Sequence, residues 1–235
     1  MILPTEDRKT QGRPGQLNTF GLLPDLPENG GTCPGMTLGP GGCAERVGGK
    51  RTWHCYAARL ARFRPRVYTP LEKNTQLLKK ARLSGKEGLL LNEFVRFAGI
   101  ESKVADPFWF YRLHWSGDIF NQEYAKALRA AMARFPEIHF WGYTRSFFAV
   151  PILAGLENCW LYLSLDSVNW EEGLAVWKKY RAAGNISVSC MSKECPTTGA
   201  HWIPCPVDSG RMKQEQSCSR CRRCLKGKAI WFYMR

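Results

Sequence analysis

Four short apolar segments alternate with amphipathic stretches through the middle of the chain. The apolar segments are FWFYRLHW from Phe108, IHFWGYT from Ile138, CWLYLSLD from Cys159 and ISVSCM from Ile186. Their aromatic and β-branched residues, bounded by polar residues or glycine, predict β-strands. NQEYAKALRAAMARF separates the first two segments and NWEEGLAVWKKYRAAG the last two, and each carries apolar residues on one helical face. Strands separated by helices predict right-handed βαβ units in a parallel sheet, and therefore an α/β fold.

The flanking regions follow other patterns. The first fifty residues are rich in glycine and proline and predict an irregular segment. Between Asn74 and Phe97 the apolar spacing predicts two short helices separated at Gly85. The connection from Thr144 to Asn158 is apolar and predicts no definite element. We expect one α/β domain over residues 1–235, with an irregular cysteine-bearing arm (1–60) and a cysteine-rich tail (195–235) packed on it.

Polar residues follow each of the four predicted strands. Because the carboxyl ends of parallel strands meet at one edge of a sheet, we expect these residues to lie close together. They are His114, Ser116, Asp118, Tyr143, Thr144, Arg145, Ser164, Asp166, Ser167 and Ser189. His114 and Asp118 are the candidate catalytic groups, His114 because an unperturbed imidazole has a pKa near neutrality. Taken singly, each side chain also fits a helix cap or a structural hydrogen bond. The candidate substrate-binding residues are Arg112, Tyr143, Arg145 and Asp166.

Composition and the length of the apolar runs indicate the cellular compartment. The chain of 235 residues is 44% hydrophobic, which suffices for a sizeable core. Its longer apolar runs, such as the Pro151-containing FFAVPILAGL, fall short of the roughly 20 residues that a membrane span needs. The N-terminus soon turns polar and predicts no secretory signal. We therefore expect a cytoplasmic protein without a membrane partner.

The formal charge of +14 and the pI near 9.5 predict an anionic partner or an anionic cofactor. Basic residues concentrate in Lys50–Lys86, where Glu72 is the only acid, and in Arg211–Arg235, where Glu215 is the only acid. Aromatic residues near these tracts offer stacking surfaces for bases, which makes nucleic acid a candidate partner. A solvated basic face is the alternative. The aromatic residues are Trp53, Tyr56, Phe63, Trp231 and Phe232.

The C-terminal cysteines predict a metal site. Cys218, Cys221 and Cys224 form a C-x2-C-x2-C run, and Cys205 lies upstream. In a reducing compartment, clustered cysteines bind metals more often than they form disulfides. The same run opens a bacterial ferredoxin motif, so the spacing favours a [4Fe-4S] cluster, with zinc as the alternative metal. The surrounding arginines and lysines would offset the negative charge of either centre.

Three further cysteines, Cys33, Cys43 and Cys55, lie in the N-terminal region. Glycine and proline around the first two provide turns that let a loop wrap a ligand. These cysteines fit the ligands of a second cluster with one iron left open, or they supplement the C-terminal set. Free thiols are the remaining interpretation. Cys159 and Cys190 lie in predicted strands and are expected in the core.

Six short motifs occur in a fixed order along the chain: GTCPGMT, GGCAER, HCYA, HWSGDIFNQEYAKAL, FWGYTRS and CP…SCSRCRRC. Together they resemble the bacteriophage gene-product-eighty-eight family, from about Gly31 to the C-terminus. The resemblance implies a phage protein in the cytoplasm of an infected host cell, with the seven cysteines of the two sets as candidate metal ligands.

The CYA, SGD and SLDS motifs are also distantly similar to radical S-adenosylmethionine enzymes. This similarity implies a partial (βα) barrel-like parallel sheet, and S-adenosylmethionine as a candidate cofactor. Those enzymes carry a compact C-x3-C-x2-C loop, whereas the spacing from Cys33 to Cys43 to Cys55 is much wider.

Two functions follow from the sequence. The first is a phage iron–sulfur protein with redox or radical small-molecule chemistry at the strand ends, acting on a small-molecule substrate or an electron-transfer partner. The alternative is a basic nucleic-acid-binding module with a structural zinc or iron–sulfur site. The chain has no Walker loop, dinucleotide fingerprint, nucleophile elbow or HExxH helix, which argues against the common nucleotide-dependent and hydrolytic chemistries.

Overall fold

The computed structural model describes residues 1–5, 7–48, 50–197, 200–215 and 217–233. The strands are β1 (Ala44–Val47), β2 (Lys50–Trp53), β3 (Phe110–Leu113), β4 (His139–Thr144), β5 (Cys159–Leu165), β6 (Ile186–Ser192), β7 (Trp202–Pro204) and β8 (Ala229–Tyr233). The helices are α1 (Tyr56–Phe63), α2 (Pro65–Lys80), α3 (Leu83–Glu101), α4 (Gln122–Ala133), α5 (Val150–Leu153), α6 (Trp170–Tyr180) and α7 (Ser217–Cys221). β1 and β2 form an antiparallel hairpin apart from the main sheet.

The main sheet has six strands in the order β3-β4-β5-β6-β8-β7, and every neighbouring pair is parallel. From β3 to β6, each new strand is added on the same side of the preceding one. Strands are added in this way in a (βα) barrel, whereas a doubly wound sheet reverses direction at a switch point. The predicted class, an α/β fold with a partial-barrel-like parallel sheet, is confirmed.

Alternation along the strands gives the sheet two different faces. On the outer face, apolar side chains pack against helices. Phe94 of α3, for example, contacts Tyr111 and Phe140 with ring centroids 5.4 and 4.8 Å apart. Cys159 and Cys190 are buried in this core, as predicted from the sequence. We call the opposite face the inner face.

The inner face carries aromatic and polar side chains. Arg112 of β3 is in register with Trp141 of β4, and Tyr143 of β4 is in register with Tyr162 of β5. The N-terminal segment adds to the edge of the sheet beside β3, because Thr19 forms a parallel bridge with Arg112. Both irregular ends of the chain also reach the inner face, where Asp7 pairs with Arg112 and Cys224 contacts Tyr143.

The structure confirms some predicted elements and corrects others. The four predicted strands are β3 to β6, and α4 and α6 occupy the two helical stretches between them. The helix break predicted at Gly85 is wrong, because α2 ends at Lys80 and α3 begins at Leu83. Gly85 thus lies in the first turn of α3, and the buried residues Leu90 and Phe94 anchor that helix in the core. The sequence analysis did not identify the β1–β2 hairpin, α1, β7 or β8.

No helix among the described residues is long and apolar enough to cross a membrane.

Candidate metal-binding site

Four cysteines of the tail line one pocket on the inner face of the sheet. We call them the C-terminal cysteine group: Cys205, Cys218, Cys221 and Cys224. The pocket is small, with a cavity volume of about 30 Å³, and it is partly open to solvent. Phe110, Trp141 and Ile230 supply apolar walls, and the rings of Phe110 and Trp141 are stacked with centroids 4.3 Å apart. The structure thus brings the four predicted C-terminal ligands to one place.

Two positive φ angles let the tail fold over the sheet. Arg222 follows α7 with φ 52°, which turns the chain between the second and third cysteines of the run. Gly227 has φ 64° and lies against the ring of Trp160, where a Cβ atom would overlap the ring. At the start of the tail, the backbone N–H of Cys205 donates to the carbonyl of Trp231 in β8 at 2.8 Å.

Burial is the main cause of the pKa shifts in this group. Burial raises the pKa of Cys218 and that of Cys224 to about 12, and the neighbouring cysteines add to both shifts. In the opposite direction, the hydroxyl of Tyr143 lies 3.0 Å from Sγ of Cys224 and lowers the pKa of that thiol. Four neighbouring thiolates would repel one another, and a bound metal would remove that repulsion by replacing the thiol protons.

A single ion and a cluster need different spacings of the sulfur atoms. Among the described residues, no group of three or more His, Cys, Asp or Glu side chains is placed to hold a metal ion. A tetrahedral zinc site needs sulfurs about 2.3 Å from the ion, and so about 3.8 Å from one another. In a [4Fe-4S] cluster each thiolate binds a different iron, so the sulfurs surround a larger core. The metal that these cysteines bind stays a prediction.

The other three predicted ligands form a separate N-terminal cysteine group: Cys33, Cys43 and Cys55. Burial raises the pKa of Cys33 far above its usual value, and the nearby Cys55 and Cys43 raise it further. The pKa of Cys55 is raised by burial and by Cys43, and its backbone N–H donates to the carbonyl of Cys43 at 3.0 Å. The seven cysteines therefore occupy two groups instead of one mixed site.

The loop that carries the first two cysteines of this group is fixed to the carboxyl ends of β4 and β5. The hydroxyl of Thr37 donates to Oδ2 of Asp166 at 2.6 Å, and the same carboxylate forms an ion pair with Arg145. Gly35 lies against the backbone of Arg145, where a Cβ atom would overlap the carbonyl oxygen. Arg145 and Asp166, predicted to bind substrate, thus hold the loop in place, and their contact with substrate stays a prediction.

Asp118 is buried beside the N-terminal cysteine group. Its carboxylate accepts hydrogen bonds from the hydroxyl of Thr144 at 2.6 Å and from the backbone N–H of Arg145 at 2.8 Å. Burial raises the pKa of Asp118, whereas these hydrogen bonds act in the opposite direction. Its charge in turn raises the pKa of Cys33. The contacts show a residue that fixes the end of β4, and a catalytic role for Asp118 stays a prediction.

His114 lies just beyond the end of β3, where its backbone adopts φ 44°. Nε2 of the buried ring is 2.6 Å from the hydroxyl of Tyr124. Burial, together with the charge of Arg112, lowers the pKa of His114 to about 3. The imidazole is therefore neutral at neutral pH. The near-neutral pKa that suggested an acid–base role is absent, and catalysis by His114 stays a prediction without that support.

Acid should destabilise the protein through His114. Because its pKa falls from 6.5 to about 3 on folding, the unfolded chain binds an extra proton between those values. The contribution of His114 to the free energy of unfolding is complete above pH about 6.5. It decreases by about 1.4 kcal/mol per pH unit as the pH falls from about 6.5 towards 3. His114→Asn removes the titrating ring, and Asn tolerates a positive φ. We expect the loss in urea midpoint between about pH 7 and pH 5 to be smaller in the variant; an equal loss in both proteins would contradict this assignment.

Arg112 and Tyr143 lie between the two cysteine groups. The guanidinium of Arg112 pairs with Asp7 at 2.8 Å and lies 3.4 Å from the hydroxyl of Tyr56, the residue that follows the last N-terminal cysteine. It also lies 5.8 Å from the ring centroid of Tyr143, whose hydroxyl reaches the C-terminal group. A continuous series of side-chain contacts therefore joins the groups. Substrate binding by Arg112 and Tyr143 stays a prediction.

Sequence reasoning missed several residues that position these groups. Thr37 and Gly35 follow Cys33 in the CPGMT motif. This motif indicates a tight turn, but it does not indicate that the turn contacts Arg145 and Asp166 at the ends of β4 and β5. Asp7 lies in a segment with no apolar periodicity, so nothing in the sequence indicated its ion pair with Arg112.

The fold and the site define an α/β partial-barrel protein with one cysteine group at its strand ends and another on its inner face. The chain belongs to the Gene product 88 family, whose profile matches residues 3–227. It is similar to the Gene 88 proteins of Mycobacterium phage D29 and Mycobacterium phage L5, at 28% identity over 184 and 182 residues, which cover 74% of this chain and 74% of each relative. No solved structure matches the chain. The phage family predicted from the motifs is confirmed, and the similarity to radical S-adenosylmethionine enzymes stays a prediction.

Proposed function

We propose that this phage protein is an iron–sulfur protein whose C-terminal cysteine group holds a [4Fe-4S] cluster. The observation that carries the proposal is the composition of the pocket. Among the described residues that line it, four cysteines are the only side chains of the usual metal-binding types. An all-thiolate set is the donor set of iron–sulfur clusters, and such a cluster supplies one-electron redox chemistry. Zinc remains the alternative metal.

The other side chains around the pocket suit an anionic cluster. Arg222 and Arg223 line the pocket and offset negative charge. Phe110 and Trp141 exclude water from one side. The hydroxyl of Tyr143 lies 3.0 Å from Sγ of Cys224 and would donate a hydrogen bond to a thiolate there. Charge, solvent access and hydrogen bonds to sulfur are the features by which a protein sets the reduction potential of a cluster.

Spectroscopy on protein purified without oxygen tests the proposal. A [4Fe-4S] protein shows broad visible absorption that decreases on reduction with dithionite, together with a paramagnetic signal in the reduced state. Zinc produces neither, because its filled d shell has no redox chemistry. Absence of both signals from metal-loaded protein would overturn the redox function.

The N-terminal cysteine group is the second part of the proposal. Its three thiolates would leave one iron of a cluster open to a ligand, and S-adenosylmethionine is the candidate cofactor. Support comes from its position at the carboxyl ends of β4 and β5, where parallel sheets place small-molecule sites. Equilibrium dialysis of labelled S-adenosylmethionine should show binding to the anaerobic wild type and none to Cys43→Ala. No binding to the wild type would remove this cofactor and leave the C-terminal cluster in place.

Tyr143→Phe should lower the reduction potential of the cluster. The variant removes the hydroxyl 3.0 Å from Sγ of Cys224, and hydrogen bonds to sulfur stabilise the more negative, reduced state. Tyr162→Phe is the matched control, because Tyr162 is in register with Tyr143 on the neighbouring strand but makes no hydrogen bond to a cysteine among the described residues. Potentiometric EPR titration measures both. Equal potentials for the wild type and Tyr143→Phe would contradict a cluster ligated by Cys224.

A further inference from the structure

A basic surface covers the β1–β2 hairpin, α1 and the start of α2. Between Ala44 and Arg82, the only acidic residues are Glu45 and Glu72. Both have partners within the segment: Glu45 lies 3.1 Å from His54, and Glu72 accepts a hydrogen bond from Tyr68 at 3.1 Å. The exposed cations that define the basic surface are Arg46, Lys50, Arg59, Arg62, Arg64 and Arg66.

Helix α1 explains why this surface faces outward. Its buried residues are the alanines Ala57, Ala58 and Ala61. Arg59, Arg62 and Phe63 have the i, i+3, i+4 spacing of one helical face and are all exposed. The ring of Phe63 is 75% exposed. An aromatic ring held in water among arginines loses the free energy of burial unless a partner covers it.

In the part of the chain that the structure describes, the exposed cations of this surface form no ion pair with an acidic side chain. Among the described residues, ion pairs involve other cations of the chain: Arg13, His54, Lys86, Arg96, Arg112 and Arg145. Arg66 lies in the first turn of α2, which contains no acidic residue, although the positive end of a helix disfavours a cation. Arg222 and Arg223 of the tail, by contrast, line the cysteine pocket. An external anion would relieve the unfavourable charge of the basic surface.

We propose that the basic surface binds single-stranded nucleic acid, with Arg59 and Arg62 on phosphates and Phe63 stacked on a base. A phosphate backbone matches a row of unpaired cations, and an exposed ring flanked by arginines matches a base. A single strand is required because the faces of bases inside a duplex are covered. The inference does not depend on the proposed cluster.

Three other aromatic candidates from the sequence make contacts within the protein. The ring of Phe232 packs 5.7 Å from that of Tyr143, and Nε1 of Trp231 donates to the carbonyl of Ser192 at 3.1 Å. The hydroxyl of Tyr56 donates to the carbonyl of Trp115 at 2.5 Å. Phe63 is therefore the aromatic residue on which the proposal rests.

Fluorescence anisotropy with a labelled oligothymidylate tests the proposal on the full-length protein. Arg59→Ala/Arg62→Ala should weaken binding at least severalfold and reduce the slope of log K against log salt by about 1.4, since each phosphate contact to a single strand contributes about 0.7. The matched control is Lys126→Ala/Arg134→Ala, which removes two exposed cations on and just after α4 and should leave both quantities unchanged. Phe63→Ala should weaken binding about fivefold or more, whereas Phe63→Trp should retain it.

Several results would overturn the proposal. One is the absence of oligothymidylate binding by the wild type at about 50 mM salt. A second is an equal loss of binding affinity in the control double variant. A third is a duplex that binds as tightly as the single strand and whose affinity is unchanged by Phe63→Ala. Binding of anionic phospholipid vesicles without binding of the oligonucleotide would assign the surface to a membrane. All the substituted side chains are exposed, so unchanged melting temperatures would show that the variants fold.

Discussion

The Cys224→Ala variant is expected to lose about four irons and four acid-labile sulfides per chain relative to the wild type. Cys224 lines the pocket with the other three cysteines of its group, and Tyr143 contacts its sulfur. Its thiol has a pKa raised to about 12 by burial, so it becomes a thiolate only when a metal replaces the proton. Loss of one of four ligands in a partly solvent-open pocket leaves an iron exposed to water and oxygen.

Two variants serve as controls for this prediction. Cys195→Ala removes an exposed cysteine that does not line the pocket and whose sulfur lies 3.8 Å from the carbonyl oxygen of Pro196, and this variant should keep all the iron. Cys33→Ala disrupts the N-terminal group and should keep the four irons of the C-terminal group. Retention of iron by Cys224→Ala, or equal loss from Cys195→Ala, would contradict the assignment of the pocket. The readouts are colorimetric iron and sulfide per chain.

The Gly35→Ala variant is expected to be destabilised by about 2 kcal/mol, within the range for overpacked sites. A methyl group at residue 35 would overlap the carbonyl oxygen of Arg145, and backbone atoms cannot rotate away as a flexible side chain can. The loop must therefore move off the end of β4. That movement also strains the hydrogen bond from Thr37 to Asp166, which is 2.6 Å in the native protein.

Gly88→Ala provides the matched comparison. Gly88 lies inside α3, and a Cβ atom there would meet nothing within 4 Å. Alanine in an open helical position should stabilise the protein by about 0.5–1 kcal/mol. Urea denaturation followed by circular dichroism gives both changes. A neutral or stabilising Gly35→Ala would show that the loop does not press on β4, and the proposed position of the N-terminal cysteine group would fall with it.

Much of the sheet could be predicted from the sequence because its strands are strongly marked. The segments that became β4 and β5 combine aromatic and apolar residues between polar ends, and the helices between strands have clear apolar faces. Gly85 misled the prediction because a glycine costs only about 1 kcal/mol in a helix, less than the burial of Leu90 and Phe94 contributes. β8 pairs with β6 across a long connection, and local patterns carry no information on such pairing.

The candidate site was predictable in its ligands but not in its arrangement. The close spacing of Cys218, Cys221 and Cys224 predicts convergence, because short gaps keep the sulfurs near one another. The grouping of Cys205 with them depends on the pairing of β7 with β8, two strands that flank the run and that the sequence analysis did not identify. The low pKa of His114 depends on burial and on Arg112, and neither is visible in a linear pattern.

The stoichiometry of metal and acid-labile sulfide in wild-type protein purified without oxygen tests the central claim most directly. An iron–sulfur protein should contain iron and sulfide in equal amounts, with at least about four of each per chain and no zinc. About one zinc per chain without sulfide would contradict the account, because it would make the C-terminal cysteine group a structural site without redox chemistry.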